Sequence, residues 1–283
     1  MDSKEMRHLR LVPLLWSLTL WGFSAELGPE EIVKRSVAAS ESDWNEAPRY
    51  SYIERDVKTK SGSRSVKTYE VLMVEGSPYS RLTAVDDVPL SAQRRTEELD
   101  RLQQEIAKRR SESSSARQKR LDGYERERQQ DHALMREMVN AFDFKLLGKD
   151  NLDGHEVYVL EATPRPDYQP KSRETKVLTA MKGKLWIDTK DCQWVKVEAE
   201  VFKPVPFGVF IAKVHPGTYF LLEQAPVTDK LWLPKHFSMS VRSSILWWQR
   251  ISVEDETYKD YKLMEEQKIS WAPTSGNQRI LRP

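Results

Sequence analysis

The sequence predicts a mainly β chain with helices (α+β), built on one large antiparallel sheet with a covered face. Three stretches carry that expectation. In residues 183–202, GKLWIDTKDCQWVKVEAEVF, the side chains of Val195, Val197, Ala199 and Val201 fall on one side and Lys196, Glu198 and Glu200 on the other. A period of two means a strand with one buried and one wet face. The run at 185–188 precedes it through the polar turn TKDCQ, so the pair reads as a hairpin of an antiparallel sheet. The run at 231–241, LWLPKHFSMSV, is a second strand of this type. Residues 91–141 then change to a helical period with a narrow apolar stripe, which needs a partner face. The apolar face of a sheet must itself be buried against another layer.

The elements follow in chain order. Residues 1–24 read as a secretory signal peptide. Lys4, Arg7 and Arg10 form the basic region, LVPLLWSLTLWGF the apolar one, and Gly22 and Ser24 place cleavage after Ser24. The apolar run is shorter than the roughly 20 residues a membrane-spanning helix needs. No cysteine near the cleavage site offers a point for lipid attachment. Residues 29–40 read as a helix: Gly28 and Pro29 start it, Glu30 and Glu31 suit its positive end, and Ile32, Val33, Val37 and Ala38 form its stripe. Strands are expected at 50–60 and 65–75 around SGSR, and at 80–85.

The helical segment carries Leu99, Leu102, Ile106, Leu121, Tyr124, Leu134, Met135, Met138, Val139 and Phe142, and SESSS at 111–115 should divide it in two. Its acidic and basic residues are close to balanced, so the charges read as a solvated helix face. Strands resume at 144–149 and 156–163 around the turn NLDG, followed by a proline-rich loop and the central hairpin. After the apolar segment PVPFGVFIAKVHPGT, further strands are expected at 219–224, 230–241, 245–254 and 257–263. That makes roughly ten or eleven strands. Residues 271–283 read as a flexible tail.

The formal net charge is +2, which implies no nucleic-acid partner. Aromatic residues make up 10% of the chain and include nine Trp, suiting a large core or an apolar binding surface. Cys192 is the only cysteine, so no intramolecular disulfide forms and stability must come from a core. Of the histidines, His8, His132, His155, His215 and His236, none stands at a metal-ligand spacing from another His, Cys or Asp. His155 and His215 read as turn residues and His236 as a solvated strand end. GSPYS at 76–80 lacks the second glycine of a nucleophile elbow, and Asp188 and Asp191 read as turn-shaping carboxylates. No catalytic constellation emerges. The chain is therefore expected not to be an enzyme, with no cofactor and no metal site.

Several of these segments together resemble a known family. An export signal, a short helix and a long antiparallel sheet carrying GKLWID, WVKVEAE, PGTYFLL, DKLWLPKHFSM and ETYKDYK are similar to the LolA/LolB-like superfamily of outer-membrane lipoprotein-sorting proteins and related periplasmic sensors. The resemblance covers residues 25–270 except the helical insertion 91–141. It implies a curved antiparallel sheet forming an unclosed β-barrel covered by helices, located in the periplasm and soluble once the signal is removed. It further implies a cavity for acyl chains of lipoproteins or other lipids. From strand faces with clear alternation, that cavity would be lined by Tyr69, Val71, Met73, Val197, Phe237 and Met239. Partners would be a lipidated protein or a lipid, with a possible envelope protein meeting helices 91–141. The alternative is an envelope sensor or protein-interaction domain of the same fold, whose core is filled by its own side chains.

Overall fold

The computed structural model describes residues 27–60, 62–172, 175–207, 212–245 and 248–264. The expected signal peptide and the tail lie outside them. Helix α1 runs Pro29–Glu46, with proline in its first turn beside Glu30 and Glu31. It buries Ile32, Val33, Ser36, Ser40 and Asp43 along one stripe. The helix extends past the expected end at Ser40 because its last turns find tertiary partners. Trp44 stacks on His132 with ring centroids 4.7 Å apart, and Arg128 lies 3.8 Å above the Trp44 ring.

Strands β1 (Tyr50–Lys60), β2 (Ser63–Val74), β3 (Ser77–Val85) and the short β4 (Val88–Pro89) follow. Helices α2 (Ala92–Arg110) and α3 (Ser114–Ala141) occupy the predicted helical segment. They break where SESSS predicts: Ser113 caps α3 by accepting from the Ala116 N–H, and Ser91 caps α2 by accepting from Arg94. Then come β5 (Phe142–Leu152), β6 (His155–Pro164), a 3-10 turn (Thr175–Ala180), β7 (Met181–Asp188), β8 (Trp194–Val201), β9 (Val205–Phe207), β10 (Ala212–Val214), β11 (Tyr219–Thr228), β12 (Leu231–Ile245) and β13 (Trp248–Leu263).

Among the described residues all strands join one 13-stranded sheet in the order β4-β3-β2-β1-β13-β12-β11-β8-β7-β6-β5, with β10 paired to β12 and β9 to β10. Every pairing is antiparallel. Among the described residues the end strands β4 and β5 do not pair, so the sheet is not closed into a barrel. The N-terminal strand β1 sits in mid-sheet against the C-terminal β13.

The main core lies between α1, the C-terminal half of α3 and strands β5–β8. Ile32, Val33, Ala141, Phe142, Leu160 and Leu185 are buried there, with Leu134, Met135, Met138 and Val139 packed against them. The C-terminal half of α3 therefore lies against the sheet, whereas Leu99 on α2 is 43% exposed, against the expectation that the whole stripe finds a partner.

Four further expectations are corrected. The strands expected at 245–254 and 257–263 are not separate: Trp248–Leu263 is the single strand β13, because Asp255 and Glu256 stay paired with Ser238 and Phe237 instead of turning, while Ile245 ends β12. The apolar segment after the central hairpin contains the strand pair β9–β10. Val195 does not share a face with Val197, Ala199 and Val201. A β-bulge opposite Ile187 and Trp186 turns it to the other face, where it packs with Val157 and Trp232, and Trp194 takes the inner position. The charges of the helical segment are not all solvated. Arg109 is buried and donates from Nη1 to the Val74 carbonyl at 2.9 Å and the Ser77 carbonyl at 2.8 Å, and Arg120 donates to the Ser77 hydroxyl at 2.7 Å. These two arginines clamp both helices to the β2–β3 turn.

Candidate functional site

In an antiparallel sheet, directly opposed residues point to the same side. The observed register therefore traces the helix-covered inner face strand by strand. One row runs Lys67, Asp56, Glu256, Phe237, Leu222, Val197, Leu185, Leu160 and Leu146, from β2 across to β5. The next row runs Lys58, Glu254, Met239, Phe220, Ala199, Gly183, Ala162 and Phe144. On the β2 side, Tyr69 stands opposite Glu54 and Val71 opposite Tyr52, with Met73 one repeat further along.

All six residues expected to line a cavity, Tyr69, Val71, Met73, Val197, Phe237 and Met239, thus share this one face. Their surroundings differ. Val197 packs against the main core, and Val71 is 5% exposed. Phe237 and Met239 are half-buried and belong to neither packed cluster. Met73 receives the Tyr124 hydroxyl of α3 at 4.0 Å from its sulfur. Moving from β6 towards β12, the inner face goes from fully buried to half-buried.

Beyond β12 the chemistry changes. Glu54 and Asp56 on β1 and Glu254 and Glu256 on β13 form an acidic block in the middle of the inner face. Sequence reasoning missed it. The alternation of Tyr52, Glu54, Asp56 and Lys58 is visible in the chain, but charged residues at every second position read as the wet side of a strand. Lys58 bridges Asp56 at 2.9 Å and Glu254 at 2.6 Å, and the Tyr258 hydroxyl donates to Glu256. Oδ1 of Asp56 is buried without a hydrogen-bond partner among the described residues. Burial, followed by repulsion from Glu256 and Asp56, pushes the Glu54 carboxyl up to about 7. Burial also raises Glu256 above the ordinary carboxylate value, against the pull of the Tyr258 hydrogen bond. Tyr52 packs on Tyr258 and Tyr261 with centroids 5.9 and 5.3 Å apart, and burial holds all three hydroxyls well above their ordinary value.

The opposite, outer face carries the second packed cluster, Val157, Val195 and Trp232 with Val159 and Trp186, at one end of β6–β8 and is polar towards the other. A pocket of about 280 Å³ there is lined by Glu161, Lys182, Lys184, Glu198, Glu200 and Tyr219, in alternating charges. His236 is no solvated strand end. It lies between Glu223 at 3.3 Å and Asp255 at 2.9 Å. His215 meets the Ser244 hydroxyl at 2.7 Å, and His155 stands 3.3 Å from Asp188. Asp188 does shape its turn, accepting from the N–H groups of Lys190 and Asp191 at 2.8 Å. Cys192 takes a left-handed φ of 55° in that turn, and burial pushes its thiol up, away from nucleophilic reactivity.

Among the described residues, no helix is long and apolar enough to cross a membrane. No protein-family model matches the sequence, and no curated protein does. Solved structures that resemble this one include an outer membrane lipoprotein-sorting protein domain from Vibrio parahaemolyticus, at 13% identity over 84% of this chain and 95% of that one, TM-score 0.33. A LolA superfamily protein from Nitrosomonas europaea aligns at 13% identity over 84% and 94%, TM-score 0.31. A chain of the Pseudomonas aeruginosa MucA/MucB complex aligns at 11% identity over 82% and 94%, TM-score 0.22. The chain is similar in structure to LolA-superfamily proteins, at a level that carries no assignment of ligand or role.

Proposed function

We propose that this protein is a non-catalytic, soluble periplasmic binder or carrier of an acyl chain, from a lipoprotein or another lipid-like ligand, seated on the inner face of the sheet. One observation carries the reading. Phe237 and Met239 are half-buried on the helix-covered face, outside the packed clusters, beside Val71, Tyr69 and Met73 on the same face. An acyl chain laid on this surface would leave water at a gain of ~0.8 kcal/mol per CH2. The acidic block beside it sets the polarity. The apolar part of a ligand belongs against Phe237, Met239, Phe220 and Leu222, and a hydrogen-bond-donating or positively charged group belongs towards Glu54 and Glu256.

The reading is tested by titrating the purified full chain with a fluorescent fatty acid and a fluorescent alkylamine. Met239→Trp should weaken binding at least tenfold while leaving the melting temperature near that of the parent. If the parent protein binds neither probe and organic extracts of natively purified protein contain no lipid, the carrier reading fails.

A second reading has its own support. Over β5–β8 the inner face is filled by the chain's own side chains from α1 and α3. That favours an envelope sensor or interaction domain whose charged helices α2 and α3 meet a protein partner. Failure of both lipid probes, together with co-purification of a specific envelope protein that is lost on charge reversal in α2, supports it instead.

A further inference from the structure

We propose that Glu54, Asp56 and Glu256 form a binding site for a hard divalent cation, calcium by preference, on the inner face between β1 and β13. One oxygen from each of the three side chains lies within 4.8 Å of the other two. That span is about twice a calcium–oxygen bond of roughly 2.4 Å, so one ion can touch all three without backbone movement. The donor set is carboxylate only, which suits calcium, magnesium or manganese and not zinc or copper. Calcium's longer bonds and tolerant geometry fit side chains held on a rigid sheet better than magnesium's strict octahedron.

The second observation is Asp56 itself. Its side chain is 10% exposed, and its Oδ2 takes the Lys58 ammonium at 2.9 Å. Its Oδ1 is buried and meets no donor among the described residues. A buried carboxylate oxygen without a partner is costly, and a cation is the group that would complete it. Register supports the aim. Asp56 stands directly opposite Glu256, and Glu54 is two residues away on the same side.

The local charge also calls for a cation. Glu54, Asp56, Glu254 and Glu256 share this patch with one bridging ammonium, Lys58. Lys67, opposite Asp56 on β2, is exposed. Burial first, and then the same excess of negative charge, displaces the Glu54 and Glu256 carboxyls upward. The inference stands on the acidic block alone and does not depend on acyl-chain binding.

Calorimetric titration of CaCl2 into the full chain, in chelator-treated buffer near neutral pH, tests it, with MgCl2 and MnCl2 as comparison ions. The expected result is saturable one-site binding, tightest for calcium, and a raised melting temperature with calcium present. Glu54→Gln and Asp56→Asn should each weaken calcium binding at least tenfold and abolish the thermal shift. Glu54→Gln keeps the test decisive if Asp56→Asn fails to fold. Absence of saturable heat with all three ions overturns the proposal. Calcium binding that Glu54→Gln leaves unchanged places the ion elsewhere and overturns it equally.

Discussion

An added Cβ at Gly183 would stand 2.2 Å from the Glu198 carbonyl oxygen and 3.2 Å from the Ala199 Cα, both backbone atoms of the neighbouring strand. Backbone in a central pair cannot step aside, so Gly183→Ala should lower stability by about 3 kcal/mol or more, read as a reduced urea midpoint. Titrating residues set a second expectation. Asp43 is buried under α1, and burial raises its carboxyl from 3.8 to about 6, against hydrogen bonds from the Trp232 backbone and the Gln193 side chain. The folded state thus holds this proton more tightly than the unfolded chain. The contribution favours folding fully below the unfolded value and is lost as pH rises through about 6. Glu54 acts in the same direction, with loss through about 7. Asp43→Asn should therefore flatten the fall in melting temperature between about pH 4 and about pH 6.5. A slope equal to that of the parent would show that Asp43 titrates normally. Neither residue was legible as buried in the sequence. Asp43 follows the apparent end of a helical stripe, and only Gln193 and Trp232, far along the chain, make its position an interior one.

Among the elements, the two inserted helices differ in how firmly they are held. The last turns of α3 feed Leu134, Met135, Met138, Val139 and Ala141 into the main core. Helix α2 buries only Glu98 and Arg109, and its anchor is the Arg109 guanidinium on the carbonyls of Val74, Ser77 and Pro78. Arg109→Ala would strand those carbonyls and release the helix. Hydrogen exchange should then show protection lost over 92–110 while β6 and β7 keep theirs. Equal loss across the sheet would mean that α2 is part of the cooperative core. Strand β6 gives the contrast: Leu160 is fully buried, so Leu160→Ala should cost about 2–5 kcal/mol, whereas Leu99→Ala on exposed α2 should change stability by less than ~0.5 kcal/mol. The helical period and its serine break were readable because they are local. Which part of the stripe meets the sheet was not, because it depends on where β5 and α1 lie.

For the molecule as a whole, β13 is the link between two halves. It pairs β1 on one side and β12 on the other, so it alone joins the β1–β4 block to the β5–β12 block of the sheet. A variant truncated before residue 248 should therefore lose the cooperative unfolding transition of the parent, as followed by circular dichroism. A truncated chain with the parent's melting curve would show that the halves fold separately. Pairing the first strand with the last also makes for long-range contacts throughout, which predicts slow refolding compared with a helical protein of similar size.

By itself the sequence determined the class of fold, the hairpin rhythm, the two helices with their serine break, and, within each strand, which side chains share a face: Tyr69 with Val71 and Met73, Val197 with Ala199 and Val201, and Phe237 with Met239. These follow from periods of two and of 3.6, which act between neighbours in the chain. The tertiary structure decided the rest. It turned Val195 outward through a bulge, merged two expected strands into β13, buried Arg109 and Asp43, and set Glu54 and Asp56 against Glu256. Except for the bulge, which lies within the β7–β8 hairpin, each of these depends on strand or helix partners that local periodicity does not encode. Alternation tells which side chains share a face of a strand, but only the pairing of β1 with β13 decides that the acidic side of both strands lies on the inner face of the sheet.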